Sequence, residues 1–238
     1  MPHDLPPTRL VLWDIDLTLV EAGSFGRELY GAAFRQVTGR PMEHLAPAAG
    51  RLDPDIYRDT LAGHDLDPAS HPFPAFAAAL AAAYTLGMAE LSRHGRALPG
   101  AVAALAALAG TLEVVQSVVT GNVAAVARIK LTAFGLDRQL DLEIGAYGPE
   151  ARLRSDLVRL ARWRAGAKHG VAFEAARTVL IGDTTHDVDA GRDGGARVIA
   201  VASGRMSAEQ LRAAGAGVVL ADLTDTGAVL RAVLDRPA

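Results

Sequence analysis

Short apolar runs recur along this chain, and each stops abruptly at a polar turn. Leu10-Val11-Leu12-Trp13 runs into Asp14-Ile15-Asp16-Leu17-Thr18. The β-branched stretch Val114 to Val119 runs into Thr120-Gly121-Asn122. Thr178-Val179-Leu180-Ile181 runs into Gly182-Asp183-Thr184-Thr185-His186-Asp187. Runs of this length and composition read as buried strands. Strands are expected at Leu10 to Trp13 and near 114–119, 141–145, 178–182, 197–201 and 217–220. Helical patterns fall between the later ones, at 101–109, 122–133, 153–169, 187–194 and 207–214. Strand–helix alternation of this kind predicts an α/β fold, a doubly wound parallel sheet with helices on both faces.

The segment 20–96 breaks the alternation, because it shows no convincing strand. Ser24 to Thr38 is helical, with Ser24 as the N-cap and Phe25, Leu29, Ala33 and Val37 on one face. A short helix follows at Asp55 to Leu61 and a longer one at Pro74 to His94. Pro99-Gly100 marks the return to the alternating pattern. The chain therefore divides into a strand–helix core, 1–19 and 97–238, and an inserted helical cap, 20–96. Trp13 alternates to the face opposite Asp14 and belongs to the core. His64, His71 and His94 are scattered over the insertion and are expected to be exposed.

Composition narrows the function classes. A chain of 238 residues is long enough for one core and a subdomain. Net charge is −3 with interspersed signs, which leaves no electrostatic footprint for nucleic acid. There is no cysteine, hence no disulfide framework and no thiol chemistry. Met1 to Pro7 lacks the charged-then-apolar pattern of a signal peptide, so a cytoplasmic enzyme is expected. The alanine-rich stretches Ala75 to Ala83 and Ala101 to Ala109 are too short to span a membrane and read as closely packed helices.

The chemistry lies at the strand ends. In open parallel sheets, ligands bind outside the carboxyl ends of the strands. Three such ends would bring Asp14, Asp16, Thr120, Asp183 and Asp187 into one crevice. Neighbouring carboxylates repel unless a cation or proton lies between them. Four carboxylates and a hydroxyl suit Mg²⁺, and no clustered His or Cys offers zinc-type ligation.

Asp14-x-Asp16-x-Thr18, Thr120 after a strand, Lys130 and Gly182-Asp183-x-x-x-Asp187 together resemble the haloacid dehalogenase superfamily, in its phosphatase branch with a helical cap. The resemblance covers nearly the whole chain and implies a Rossmann-like core. It implies Asp14 as a nucleophile that forms an aspartyl-phosphate, and Asp16 as general acid and then base. It also implies metal ligation by Asp14, Asp16 (through its carbonyl), Asp183 and Asp187, with Thr120 and Lys130 on the phosphoryl oxygens. Thr18, Gly121 and Asn122 would line the phosphate site, and Arg51 in the cap's most polar loop would meet the rest of the substrate or pair with Asp53 or Asp55. The substrate would be a small phosphorylated metabolite, as in phosphoglycolate phosphatase-like members.

Two departures stand out. The family usually has Gly where this chain has Leu17, which is expected to hold a non-glycine conformation and to narrow the site, and its lysine often opens a Lys-Pro turn that is missing from Glu143 to Arg152. Only two lysines exist, Lys130 and Lys168, so the basic role falls to Lys130, with Arg152 as the alternative. Asp16 argues against dehalogenating relatives, which replace it. The absence of Lys from 19–99 argues against the phosphonate-cleaving branch, which uses a cap lysine. A β-phosphoglucomutase-like phosphomutase and a non-catalytic phosphate-binding relative stay as alternatives.

Overall fold

The run Arg9–Trp13 forms strand β1 and is buried along its whole length, as expected of a strand covered on both faces. The computed structural model describes residues 8–235, so the N-terminal stretch Met1 to Pro7, read above for a signal pattern, lies outside the described residues. After β1 come β2 (Val20–Glu21) and helices α1 (Gly23–Thr38), α2 (Asp53–Ala62), α3 (Phe73–Leu86) and α4 (Met88–His94). The chain continues through β3 (Arg96–Ala97), α5 (Ala101–Ala109), β4 (Val114–Thr120), α6 (Ala124–Ala133), β5 (Ala146–Tyr147) and α7 (Arg154–His169). It ends with β6 (Thr178–Gly182), α8 (Thr185–Gly194), β7 (Arg197–Val201), α9 (Ala208–Ala213), β8 (Val218–Leu220) and α10 (Thr226–Leu234).

Six strands pair in parallel in the order β5-β4-β1-β6-β7-β8, which places β1 between the two strands that carry the other polar turns. Side chains alternate across it. Val11 and Trp13 join a cluster with Leu105, Leu108 and Val233 on one face. Leu10 and Leu12 join Leu157, Val158 and Ala161 on the other. Trp13 is fully buried, and its indole donates to Gln116 Oε1 at 3.1 Å. Both faces are thus covered by apolar side chains, and the sheet's carboxylates stand at the strand ends.

The segment between β2 and β3 builds a separate apolar cluster around Leu29, Phe34, Tyr57, Phe76 and Leu91. β2 and β3 pair antiparallel over two residues each, where no strand was expected, and hold the exit and return of this segment side by side. Helix α1 starts at Gly23 with Ala22 as its N-cap, so Ser24 sits inside the first turn and makes no cap. The single helix expected over Pro74 to His94 is two helices bent by 70° at Gly87. His64 is buried, not exposed. Its ring stacks on His44 at 4.1 Å, its Nδ1 meets the Thr60 carbonyl at 2.7 Å, and its Nε2 accepts from the Glu43 N–H.

The strand expected at 141–145 is a turn, and pairing begins only at Ala146. Asp141 explains this. Its carboxylate accepts from the Glu143 N–H, an Asx-type turn that diverts the backbone from the ladder. The final helix α10 carries no expectation from the sequence patterns. Among the described residues, no single helix is long and apolar enough to cross a membrane.

Candidate active site

Asp14 continues β1 by one residue, its N–H bonded to the Ile181 carbonyl at 2.8 Å. The chain then turns sharply. Leu17 donates its N–H to the Val20 carbonyl at 2.8 Å and stands at φ +62°. This is the left-handed conformation that glycine adopts freely, so leucine holds the glycine-like shape rather than a different one. The Ser203 hydroxyl donates to the Leu17 carbonyl at 2.7 Å and helps fix it. The Leu17 side chain lines the cavity above the strand ends, which has a volume of about 710 Å³.

The end of β6 brings two carboxylates. Asp183 follows the strand directly, and the Thr18 hydroxyl lies 3.4 Å from its Oδ1. Asp187 occupies the third position of α8 and folds back on Thr184, whose N–H and hydroxyl bind its Oδ2 at 3.0 and 2.6 Å. That fold-back needs a glycine upstream: a Cβ on Gly182 would lie 2.3 Å from the Asp187 carboxyl carbon. Carboxylate oxygens of Asp14, Asp183 and Asp187 lie within 4.8 Å of one another, all on buried residues.

One residue at this cluster was not anticipated. Arg154, at the first position of α7, places its guanidinium 2.5 Å from Asp14 and 2.7 Å from Asp187, with its side chain 8% exposed. Arg152, the expected alternative cation, is exposed and lies in the loop before the helix. The cation that meets Asp14 is therefore Arg154, two residues further on.

The other side of the site is organised around Asp16. Lys130 lies in the last turn of α6, buried, with Nζ at 2.7 and 2.8 Å from the two Asp16 oxygens and 2.8 Å from Asn122 Oδ1. Asn122 donates from its amide to Asp16 at 2.7 Å and to the Thr120 hydroxyl oxygen at 2.8 Å. The Thr120 oxygen also accepts from the Asn122 N–H, so its own hydrogen is free to point outward.

Gly121 is pressed by the helical segment. A Cβ there would lie 2.0 Å from the Arg51 carbonyl oxygen, and the Gly121 carbonyl accepts from the Asp53 N–H at 2.9 Å. Asp53 in turn accepts from the Val123 N–H at 2.8 Å. Arg51 lines the cavity, but its guanidinium pairs with Asp59 and with the Pro47 carbonyl, not with Asp53 or Asp55. His186 is exposed on the first turn of α8.

Charge follows from this packing. Burial, reinforced by Asp187 and Asp16 and opposed by Arg154, raises the Asp14 carboxyl above its ordinary value. Asp183 is raised by burial and by Asp14 and Asp187. Asp16 goes the other way: burial pulls it up, but Lys130 and Asn122 outweigh burial and lower it. Four carboxylates face two cations, which leaves a surplus of negative charge on the Asp14–Asp183 side. The donors there are all oxygen, dry and close-set. They fit a hard divalent cation such as Mg²⁺ and offer nothing to a soft one.

The family model of haloacid dehalogenase-like hydrolases matches residues 11–192. A protein named "Probable phosphatase IndB", from Dickeya dadantii strain 3937, is 33% identical over 141 residues. The match covers 59% of this chain and 58% of that protein, so this chain spans under two thirds of the relative's length. Among solved structures, a hydrolase from Pseudomonas syringae superposes with a TM-score of 0.66 at 20% identity, over 96% of this chain and all of that one (100%). CbbY from Rhodobacter sphaeroides, in complex with phosphate, superposes with a TM-score of 0.66 at 19% identity, over 92% of this chain and 96% of that one. At these identities the two structures speak to the fold.

Proposed function

Because this chain belongs to the haloacid dehalogenase-like hydrolase family, we propose that it is a Mg²⁺-dependent phosphatase acting on a small phosphorylated metabolite through an aspartyl-phosphate on Asp14. One observation carries this reading. Asp14 sits at the floor of the cavity with a buried guanidinium on one oxygen and two further carboxylates beside it. That arrangement positions an anionic nucleophile where a phosphoryl group can be received.

The steps follow from the residues. An Asp14 oxygen attacks phosphorus while the bond to the leaving oxygen breaks. Asp16, held as the carboxylate by Lys130 and Asn122 and with its side chain 44% exposed, takes the proton of the bound phosphoester monoanion and passes it to that oxygen. Asp16, again a carboxylate, takes a proton from the water that attacks the aspartyl-phosphate, and phosphate leaves with Asp14 restored. Thr120 donates its free hydroxyl hydrogen to a phosphoryl oxygen, and Arg154 holds another. Gly121 and Asn122 line this phosphate site, whereas Thr18 is fully buried outside the cavity lining, with its hydroxyl on Asp183. Asp14, Asp183 and the Asp16 carbonyl would hold Mg²⁺. Both Asp187 oxygens are already engaged by Thr184 and Arg154, so Asp187 serves through water. Bound there, Mg²⁺ offsets the repulsion between Asp14 and an anionic phosphate.

Residues 20–96 act as the cap. They supply closure, exclusion of water and substrate choice, with the loop around Arg51 and Asp53 seated on Gly121. The test is phosphate release over a panel of small phosphoesters with Mg²⁺ present, using Asp14→Asn as control. Release by the native chain and none by the variant is expected. Turnover by Asp14→Asn at more than a small fraction of the native rate, with deamidation excluded by mass, would refute the covalent route.

A further inference from the structure

Lys130 is the one buried cation of the site that does not meet Asp14. An ammonium has three N–H donors. Here they have three acceptors within 2.8 Å: both Asp16 oxygens and Asn122 Oδ1. None is left for a phosphoryl oxygen. The cation on the nucleophile's side is Arg154. From this division we infer that Lys130 is a positioning residue for Asp16: it holds the acid–base carboxylate in place and does not bind the transferring phosphoryl group.

The surroundings support the assignment. Asn122 completes the grip, since its amide donates to Asp16 while its carbonyl accepts from Lys130. The Asp16 carboxylate is thereby clamped from one side only. Its side chain stays 44% exposed toward the cavity, whereas that of Lys130 is 6% exposed. The reacting edge is open and the holding edge is closed. Nζ also lies over the face of the Tyr84 ring, from α3, 5.5 Å from its centroid. Lys130 lines the cavity, but its three donors are already taken, so it lacks the free donor that a phosphate ligand needs.

This inference rests on the proposed role of Asp16 as general acid, and the experiment separates the two. The protein is assayed with Mg²⁺ on p-nitrophenyl phosphate, whose leaving group departs without a proton, and on an alkyl phosphate, whose leaving group requires one. Four forms are compared: native, Asp16→Asn, Lys130→Met and the double variant. A general acid contributes on the order of 10²–10⁴-fold. Asp16→Asn should lose that on the alkyl ester and much less on the nitrophenyl ester. Lys130→Met should show the same selectivity, with a loss between about tenfold and the full loss of Asp16→Asn. Added to Asp16→Asn, Lys130→Met should cost almost nothing more.

Equal losses on both esters, persisting in the Asp16→Asn background, would overturn the assignment and return Lys130 to the phosphoryl oxygens. If Asp16→Asn itself shows no leaving-group selectivity, the acid role fails instead. Should Lys130→Met not melt as a folded protein, Lys130→Gln keeps the polar contact with Asn122 without the charge, and the same ratio of losses decides.

Discussion

Replacing Arg154 by Met tests the least expected feature of the site. The guanidinium touches Asp14 and Asp187 at 2.5 and 2.7 Å and is almost wholly buried. Removing one partner of such a buried pair costs roughly 3–5 kcal/mol, because the remaining charge is stranded. Two carboxylates would be stranded here, so metal-free Arg154→Met should melt well below the native chain. A divalent cation can take over part of the neutralisation. The increase in melting temperature on adding Mg²⁺ should therefore be larger in the variant than in the native chain. Catalysis should not recover with stability. A preorganised donor aimed at developing charge is worth about 2.7–4 kcal/mol, or roughly 10²–10³ in kcat. Phosphate release by Arg154→Met, measured at saturating Mg²⁺ below its melting temperature, should fall by that factor. Arg154→Lys should fall between the two, since a point charge cannot span both carboxylates as the planar fork does. Arg152→Ala should be indistinguishable from native. Activity of Arg154→Met within about tenfold of native, well inside that factor, or an equal loss in Arg152→Ala, would refute the assignment.

Chelation should abolish turnover and Mg²⁺ should restore it, while Ca²⁺ should inhibit because its looser coordination displaces Asp14 from in-line geometry; full activity after exhaustive chelation is the contrary result. Burial, opposed by Lys130 and the Val123 N–H, pushes the Asp53 carboxyl up to about 6. Its ionised form is disfavoured in the fold, so the chain loses stability as pH rises from about 4 through 6, by about 3 kcal/mol at most. Asp53→Asn should thus be more resistant to urea than native at pH 8 and no more resistant near pH 4, and equal differences at both would exclude this origin. Arg51→Ala should reduce kcat/KM for a phosphoester with a second anion more than for p-nitrophenyl phosphate, since that anion would compete with Asp59 for the guanidinium; equal losses would place Arg51 in cap folding.

The sheet was legible because its physics is local. β1 and β6 are buried along their whole length, and β4 and β7 along most of theirs, and a continuous apolar run bounded by polar turns has few other readings. The carboxylates were legible for the same reason, since a residue that ends a buried strand must sit at the strand's end. The failures lie where local pattern and packing disagree. Glu143-Ile144 looks extended, but the Asp141 side chain supplies a competing turn. The alanine-rich run into α4 is helical throughout by propensity, yet glycine at position 87 lets it break and bend back over α1. His64 looked exposed because nothing in sequence places His44 and Phe34 against its ring.

The basic residues show how far spacing reaches. Lys130 is the tenth residue after Thr120, and that count says only that it lies on the helix leaving the site; Asp14 and Asp16 are both within its compass. Which one it meets depends on how α6 packs under α3, a tertiary fact. Arg154 had a signal that went unread. An arginine at the first position of a helix faces the positive end of the helix dipole, an unfavourable place for a cation. Something must hold it there. In a doubly wound sheet, the helix that precedes a strand starts beside the carboxyl ends of its neighbours, where the unpaired acids are. The side chains of a first turn also point back toward the helix N-terminus. An ill-placed cation and a surplus of carboxylates, each anomalous alone, account for one another. Arg152 lies before the helix begins and has no such constraint, which is why it faces solvent while Arg154 closes on Asp14.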